Sequence, residues 1–255
     1  MKQTLMRSLL AAAVAFAAIP AMAAPILVTN QPWGADTDIE NMTQVFGAGG
    51  FLAYGSYAQA DAAVGSIFSS VNRFVMLEGG AATDSLLADY LGRHASAIGA
   101  WVNEGGALLI QSAGWNNSFA FDGVDLVHRR ETSCGTLNAA GVDAFAVDVR
   151  QCGGYLAHNE VAGAGLTAFM TGDTWRRAIV AGKEVGQGYI MYSGLTASRY
   201  HDGGHGLVNA VIGYTARQAQ AVPLQVPEPA SLALFGLGAA AIGALRRRAG
   251  GQAAR

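Results

Sequence analysis

The stretch from residue 73 to residue 112, RFVMLEGGAATDSLLADYLGRHASAIGAWVNEGGALLIQS, decides the fold. It opens with an apolar run of strand length at 73–77, which stops at Glu78-Gly79-Gly80, and it closes with a second apolar run at 107–111. Between the two runs, apolar residues recur at helical spacing from 83 to 103. A strand, a helix and a strand in this order are typical of a parallel pair, because parallel strands need a long crossover connection.

The same alternation continues on both sides of this stretch. Strand candidates are 25–29, 51–57, 177–181 and 189–193, and helix candidates are 36–46, 61–70 and 206–215. This pattern predicts an α/β fold with a mostly parallel, doubly wound (flavodoxin-like) sheet, covered by helices on both faces. Residues 115–170 depart from it, because short β-like pieces are separated there by Gly and Asn. We interpret this segment as a β-rich insertion.

The first 23 residues have the features of a secretory signal peptide. Lys2 and Arg7 precede an apolar run, and Ala21-Met22-Ala23 forms a small-x-small cleavage site. The mature chain is expected to begin near Ala24, and a retained membrane anchor is the alternative. No proline occurs between residues 33 and 222, so we predict one α/β domain over 24–218 and a linker over 219–226.

The charge of the body excludes one class of partner. Residues 24–222 hold ten Lys and Arg against seventeen Asp and Glu, although the whole chain has a formal net charge of only −2. Lys183 is the single lysine of this segment, and no basic stripe interleaved with aromatic residues is present. Such an acidic body offers no track for phosphates, so we expect no nucleic-acid partner.

The two cysteines, Cys134 and Cys152, belong to a chain that is expected to enter an oxidising compartment. We predict that they form a disulfide, which would stabilise the fold by about 3 kcal/mol in the chain-entropy model. Two buried thiols are the alternative. A catalytic cysteine is a third interpretation, although neither residue follows a strand-to-helix elbow.

The end of the chain has three parts in a fixed order. Pro227-Glu228-Pro229 comes first, an apolar run over 230–245 follows, and Arg246-Arg247-Arg248 closes the segment. This order resembles the PEP-CTERM sorting signal of exported proteins in Gram-negative bacteria, here over residues 227–249. The resemblance implies recognition by an exosortase, a membrane-embedded processing enzyme, with cleavage near the Pro-Glu-Pro motif.

The physical properties of this tail agree with a temporary anchor. Sixteen residues in a helix span about 24 Å, which is less than the roughly 30 Å of a hydrocarbon core. Glycines at positions 236, 238 and 243 weaken the helix further. The arginines are expected to stay on the cytoplasmic side of the inner membrane, which leaves the body outside. A permanent C-terminal anchor is the alternative.

Polar residues that directly follow the predicted strands are the candidates for a site, because sites in doubly wound sheets gather beyond the carboxyl ends of the strands. Four clusters could converge there: Asn30-Gln31 with Trp33, Glu78-Gly79-Gly80, Ser112-Ala113-Gly114-Trp115, and residues 201–205. The layout of strands, and the ending 188–194 followed by a histidine-containing loop and a last helix, resemble the class I glutamine amidotransferase-like fold. That family places a catalytic cysteine on the elbow after the strand that here ends in Gln111-Ser112.

The absence of that cysteine makes amidotransferase activity doubtful, and Ser112 is the remaining candidate nucleophile. It would need His201 or His205 as a base and Asp202 or Glu78 as an orienting acid, yet no Gly-x-Ser-x-Gly elbow is present. His201 and His205 could also share a metal ion, but no third ligand is identifiable by spacing. The alternative is that these residues only satisfy loop backbone. We therefore predict no metal and no cofactor.

Two classes of function follow from these observations. The first is a non-catalytic or binding role at the cell surface or in the extracellular matrix, which the PEP-CTERM resemblance links to exopolysaccharide. The second is a secreted hydrolase of amidotransferase-like fold that acts on carbohydrate or ester substrates. A carbohydrate-binding role would need exposed aromatic platforms, for which Trp33, Trp115 and Trp175 are candidates, with core packing as their alternative role.

Overall fold

A computed structural model describes residues 24–29, 35–80, 84–114 and 117–219. The predicted signal peptide, the PEP-CTERM tail, Trp33 and Trp115 lie outside these described residues. Ten strands are present in chain order: β1 (Ile26–Val28), β2 (Leu52–Tyr54), β3 (Phe74–Gly79), β4 (Ala107–Ser112), β5 (Phe119–Phe121), β6 (Val124–Leu137), β7 (Arg150–Gly163), β8 (Thr167–Gly172), β9 (Ala178–Val185) and β10 (Gly188–Ser193). Six α-helices accompany them within the described residues: α1 (Ala35–Phe46), α2 (Tyr57–Ala62), α3 (Val64–Ile67), α4 (Asp84–Asn103), α5 (Ala139–Phe145) and α6 (Gly206–Arg217).

The first half of the sheet is parallel, as the sequence predicts. Its strands lie in the order β2, β1, β3, β4, β10, and every neighbouring pair in this set runs parallel. From β1 the chain first adds β2 on one side and then adds β3 on the other, so the direction of winding reverses between β1 and β3. In doubly wound sheets a crevice opens at such a switch point, outside the carboxyl ends of the strands.

The second half of the sheet corrects the prediction of a mostly parallel sheet. Strand β9 pairs with β10 antiparallel, and the antiparallel pairing continues through β8 to β6, which also pairs with β5 and β7. Only residues 186 and 187 join β9 to β10, and a connection this short cannot carry a crossover. Residues 115–170, predicted as an insertion, supply strands to the same mixed sheet.

Apolar side chains of the parallel strands alternate between two layers of helix. Leu77 and Ile110 pack with α2, α3 and α4 on one face, whereas Met76 and Leu109 pack with α1, α5 and α6 on the other. This period of two follows from the pleat of a strand, which points successive side chains to opposite faces. It also decides which face each polar residue at the strand ends will meet.

The predicted disulfide is confirmed. Cys134 on β6 and Cys152 on β7 face each other across the antiparallel pair, and an S–S bond joins them. Strand β6 has register shifts between His128 and Cys134, so the bond holds the two strands together just beyond an irregular stretch. The mixed α/β sheet is therefore pinned covalently in its antiparallel half.

Candidate functional site

A cavity of about 350 Å³ lies at the carboxyl ends of the parallel strands, where the order of the strands reverses. Its volume is in the range of small-molecule sites. Three groups of residues line it, one from the parallel half, one from β7 and one from the segment after β10: Asp38, Glu78, Gly79, Gly80, Gln111 and Ala113; Tyr155 and His158; Leu195, Thr196, Ala197 and Tyr200.

Glu78 stands near the end of β3 and is almost completely buried. It lies on the face of the sheet that α1 and α6 cover, because it is two residues after Met76 along the strand. Its Oε2 accepts a hydrogen bond of 2.8 Å from the hydroxyl of Thr29, which directly follows β1. Gln111 is the cross-strand neighbour of Glu78 on β4, so the two side chains project from adjacent strands toward the same face.

Asp38 supplies a second carboxyl group from the first turn of α1. Burial raises the pKa of Asp38 well above its usual range, and the negative charge of Glu78 raises it further. Burial also raises the pKa of Glu78 to about 7, although the hydrogen bond from Thr29 opposes the shift. Carboxyl groups in a cavity whose pKa values are raised by burial and by a neighbouring charge are a common sign of a functional site.

The raised pKa of Glu78 predicts how one substitution changes stability. The unfolded carboxyl ionises near its ordinary pKa, whereas the folded one stays protonated up to about pH 7, so folding loses free energy as the pH rises between these values. Glu78→Gln removes that loss. We expect the variant to be more stable than the parent by about 3 kcal/mol at pH 8, with the difference vanishing below pH 4. Urea unfolding at a series of pH values measures this, and a gain that does not depend on pH would contradict it.

Aromatic and histidine rings form the opposite wall of the cavity. Tyr155 and His158 lie on β7 with their ring centroids 6.0 Å apart, and Tyr200 meets Tyr155 edge-on at the same distance. Burial lowers the pKa of His158 to about 4, so its ring is neutral at neutral pH. The cavity thus joins an acidic floor from the parallel half to a neutral aromatic wall from the antiparallel half.

The segment after β10 closes the cavity and is held by β7. Ala157 and Gly153 form bridges with Leu195 and His201, and the hydroxyl of Thr196 donates to the main-chain carbonyl of Tyr155. A short 3-10 helix, Ser198–Tyr200, follows and carries the Tyr200 ring. The aromatic wall therefore depends on the pairing of two distant segments of the chain.

Glu78 is the one candidate catalytic residue from the sequence that lines this cavity. Ser112 is completely buried, and its hydroxyl lies 3.2 Å from the side-chain amide of Asn159. His201 Nε2 lies 3.2 Å from the hydroxyl of Thr196, and burial lowers the pKa of this histidine to about 4. Among the described residues, no hydrogen bond joins Ser112 to either candidate histidine.

His205 belongs to a separate polar cluster at the start of α6. Its Nδ1 lies 2.8 Å from the hydroxyl of Ser198 and also contacts the Asn41 side chain, and its Nε2 lies 3.3 Å from a carboxylate oxygen of Glu40. Within the described ranges, no group of three His, Cys, Asp or Glu side chains is arranged to hold a metal ion. His205 thus ties the last loop to α1.

Two residues of the acidic floor are not predicted from the sequence. Asp38 lies near the start of a helix, where acidic residues are common for reasons unrelated to a site. Gln111 is the last but one residue of β4, whereas the candidates were residues that follow a strand. The sequence does offer one signal for Gln111, which is that this polar residue directly follows the apolar run 107–110. Tyr155, His158 and Tyr200 come from segments whose meeting no local pattern indicates.

The fold belongs to the same class as a solved glutamine amidotransferase-like structure. A candidate GMP synthase subunit from Thermoplasma acidophilum superposes with a TM-score of 0.50 at 11% identity, covering 76% of this chain and 95% of that one. β-Galactosidases from Bacillus circulans sp. alkalophilus and Rahnella sp. R3 superpose with TM-scores of 0.47 and 0.43 at 9% and 11% identity. The match covers 76% and 74% of this chain but only 31% and 30% of those enzymes. No curated protein matches the chain in sequence.

The chain carries a PEP-CTERM protein-sorting motif at residues 225–248, which confirms the prediction from the tail. This motif marks an exported protein that is sorted by an exosortase and anchored in the membrane before cleavage. None of the helices in the described part of the chain has the length and apolar character needed to cross a membrane. Both cysteines of the chain are joined in the disulfide, which leaves no free thiol.

Proposed function

We propose that this exported protein is a non-catalytic binding protein of the cell surface or extracellular matrix, and that its cavity holds a saccharide unit of the exopolysaccharide. The observation that supports the proposal most strongly is the pairing of an acidic, hydrogen-bonding floor with an aromatic wall. Saccharides combine hydroxyl groups with an apolar ring face, and such a cavity can meet both. Tyr155 is 42% exposed, so a ligand can reach its ring.

The alternative proposal is a secreted hydrolase that acts on carbohydrate or ester substrates. A serine hydrolase needs a nucleophile within hydrogen-bond reach of a base and open to the substrate. Ser112 is buried against Asn159 instead, and neither His201 nor His205 contacts it. The local geometry therefore favours binding over hydrolysis by this serine.

Binding of exopolysaccharide fragments to the purified full-length protein, measured by titration calorimetry, tests the proposal. Tyr155→Ala is expected to weaken binding by about fivefold, because an aromatic contact contributes on the order of 1 kcal/mol. Val149→Ala is the matched control, since this exposed apolar residue does not line the cavity. Equal affinities for the parent and the Tyr155 variant would contradict the proposal, and release of shorter sugars during the titration would favour the hydrolase.

A further inference from the structure

The floor of the cavity offers hydrogen-bond acceptors that the described protein does not satisfy. Asp38 and Gln111 are 1% and 3% exposed, and neither Asp38 Oδ1 nor Gln111 Oε1 has a hydrogen-bond partner in the structure. Glu78 lines the same floor with a buried carboxyl group. The great majority of buried polar atoms in proteins have a hydrogen-bond partner, so these two acceptors need a donor from outside the described protein, supplied by water or by a ligand.

The charges around this floor specify what kind of donor is missing. The titratable side chains that line the cavity together with the two carboxyl groups are Tyr155 and His158 on β7, and Tyr200. Tyr57 on α2 interacts electrostatically with both carboxyl groups and with Tyr90, and the buried Asp84 on α4 lies close to Gly79 and Gly114. None of these brings a positive charge at neutral pH. The described lining contains no Lys or Arg, and Arg199 lies outside it, 5.1 Å from the Tyr200 ring centroid.

An anionic ligand would be repelled by this floor, and a neutral one would leave the buried ionised carboxylate without a counter-charge. An ammonium group supplies three N–H donors together with a positive charge. Its N–H groups can donate to the unsatisfied acceptors, and its charge can be balanced by the acidic pair. Its attraction to the pair is strong there, because burial lowers the local dielectric constant. Aromatic rings beside the floor suit both a cation and the apolar face of a sugar ring.

We infer that the ligand of this cavity is a hydroxylated organic ammonium ion of the amino-sugar type, whose amino group lies between Asp38, Glu78 and Gln111. The inference rests on the proposed saccharide-binding function and names the class of saccharide. Binding energy is divided between two parts of the cavity. The aromatic wall holds the ring, and the carboxyl pair selects the amino group.

Titration of the full-length protein with glucosamine, glucose and N-acetylglucosamine at pH 7 tests this inference. We expect glucosamine to bind roughly tenfold or more tightly than the other two sugars, because only it carries a charged donor. Glu78→Gln and Asp38→Asn keep the shape of the floor and remove its charge, so each is expected to reduce glucosamine affinity to the level of glucose. Glu104→Gln, at an exposed acidic residue outside the cavity, is the matched control and is expected to change nothing.

A pH series gives a second readout that a merely structural role of the carboxyl pair would not move. The ammonium ion binds the ionised form of Glu78, whose pKa is raised to about 7, so acid competes with the ligand. Glucosamine affinity is expected to fall by roughly fiftyfold from pH 7 to pH 5, whereas glucose affinity stays level. The fall should be absent in Glu78→Gln.

The possible results separate this inference from the proposed function. Equal affinities for glucose and glucosamine would overturn the inference while leaving saccharide binding in place. A glucosamine preference that survives both Glu78→Gln and Asp38→Asn would also overturn it, because the amino group would then lie elsewhere. Failure of all three sugars and of exopolysaccharide fragments to bind would overturn the inference and the proposed function together.

Discussion

Replacing Gly194 by alanine is expected to lower the free energy of unfolding by about 3 kcal/mol. Gly194 follows β10, and a methyl group added there would collide with the main-chain carbonyl of Asn159 on β7. The backbone cannot easily move away, because two hydrogen bonds hold Gly194. Its carbonyl accepts from the His158 N–H at 3.1 Å, and the Gly194 N–H donates to the Ile179 carbonyl at 2.8 Å. Chemical denaturation of the purified variant measures the loss.

Gly92→Ala is the matched control for this substitution. Gly92 lies on the exposed side of α4, and a Cβ added there meets no atom within 4 Å. Alanine is better than glycine in a helix interior, so this variant is expected to gain about 0.5–1 kcal/mol. Two glycine-to-alanine changes should therefore act in opposite directions. A loss below about 1 kcal/mol at Gly194 would show that β7 and the segment after β10 are less closely packed than the structure indicates.

Removal of the disulfide by Cys134→Ser with Cys152→Ser is expected to lower the free energy of unfolding by about 3 kcal/mol. The cysteines are 18 residues apart in sequence, so the bond closes a loop of moderate length and restricts the unfolded chain. The effect should extend to the cavity, because the Asp202 N–H donates to the Cys152 carbonyl and ties the last loop to β7. Ligand binding should therefore weaken in the double variant along with stability.

Ser133→Ala provides the comparison for the disulfide variant. Ser133 is an exposed neighbour of Cys134 on β6, and its hydroxyl makes only a long 3.5 Å contact with the Gly154 carbonyl. We expect its unfolding midpoint in urea to match that of the parent, whereas the midpoint of the double cysteine variant should fall clearly. If the double variant has the same unfolding midpoint in urea as the parent, the pairing of β6 with β7 does not depend on the disulfide.

The sequence predicts the parallel half of the sheet because the signals for it are local. The run that became β3, the helical pattern of α4 and the run that became β4 each lie within one window, and the crossover between them fixes their parallel direction. The direction of β9 depends instead on a short turn, where Gly186 has a positive φ of 60°. The local patterns predict both late strands but carry no signal for this turn, so the predicted parallel direction of β9 is wrong.

The candidate site divides in a similar way. Glu78 is predictable from the sequence because sites gather at the carboxyl ends of parallel strands, and strand ends can be located from the apolar pattern. Asp38 is not predictable in this way, because acidic residues at helix starts usually stabilise the helix itself. Its burial beside Glu78 arises only when α1 packs over the end of β3. Ser112 and Asn159 likewise meet across 47 residues of sequence.

The sequence alone determined the sorting tail, the acidic body, the pair of cysteines and the α/β class of the fold. These properties reside in composition, in short motifs and in the periodicity of single segments. The tertiary structure alone decided the direction of the antiparallel strands and the burial of Ser112. It also decided that Asp38, Glu78 and Gln111 line the same cavity as the aromatic wall. The physical reason is that burial and charge coupling depend on neighbours that are distant in sequence, and only packing brings those neighbours together.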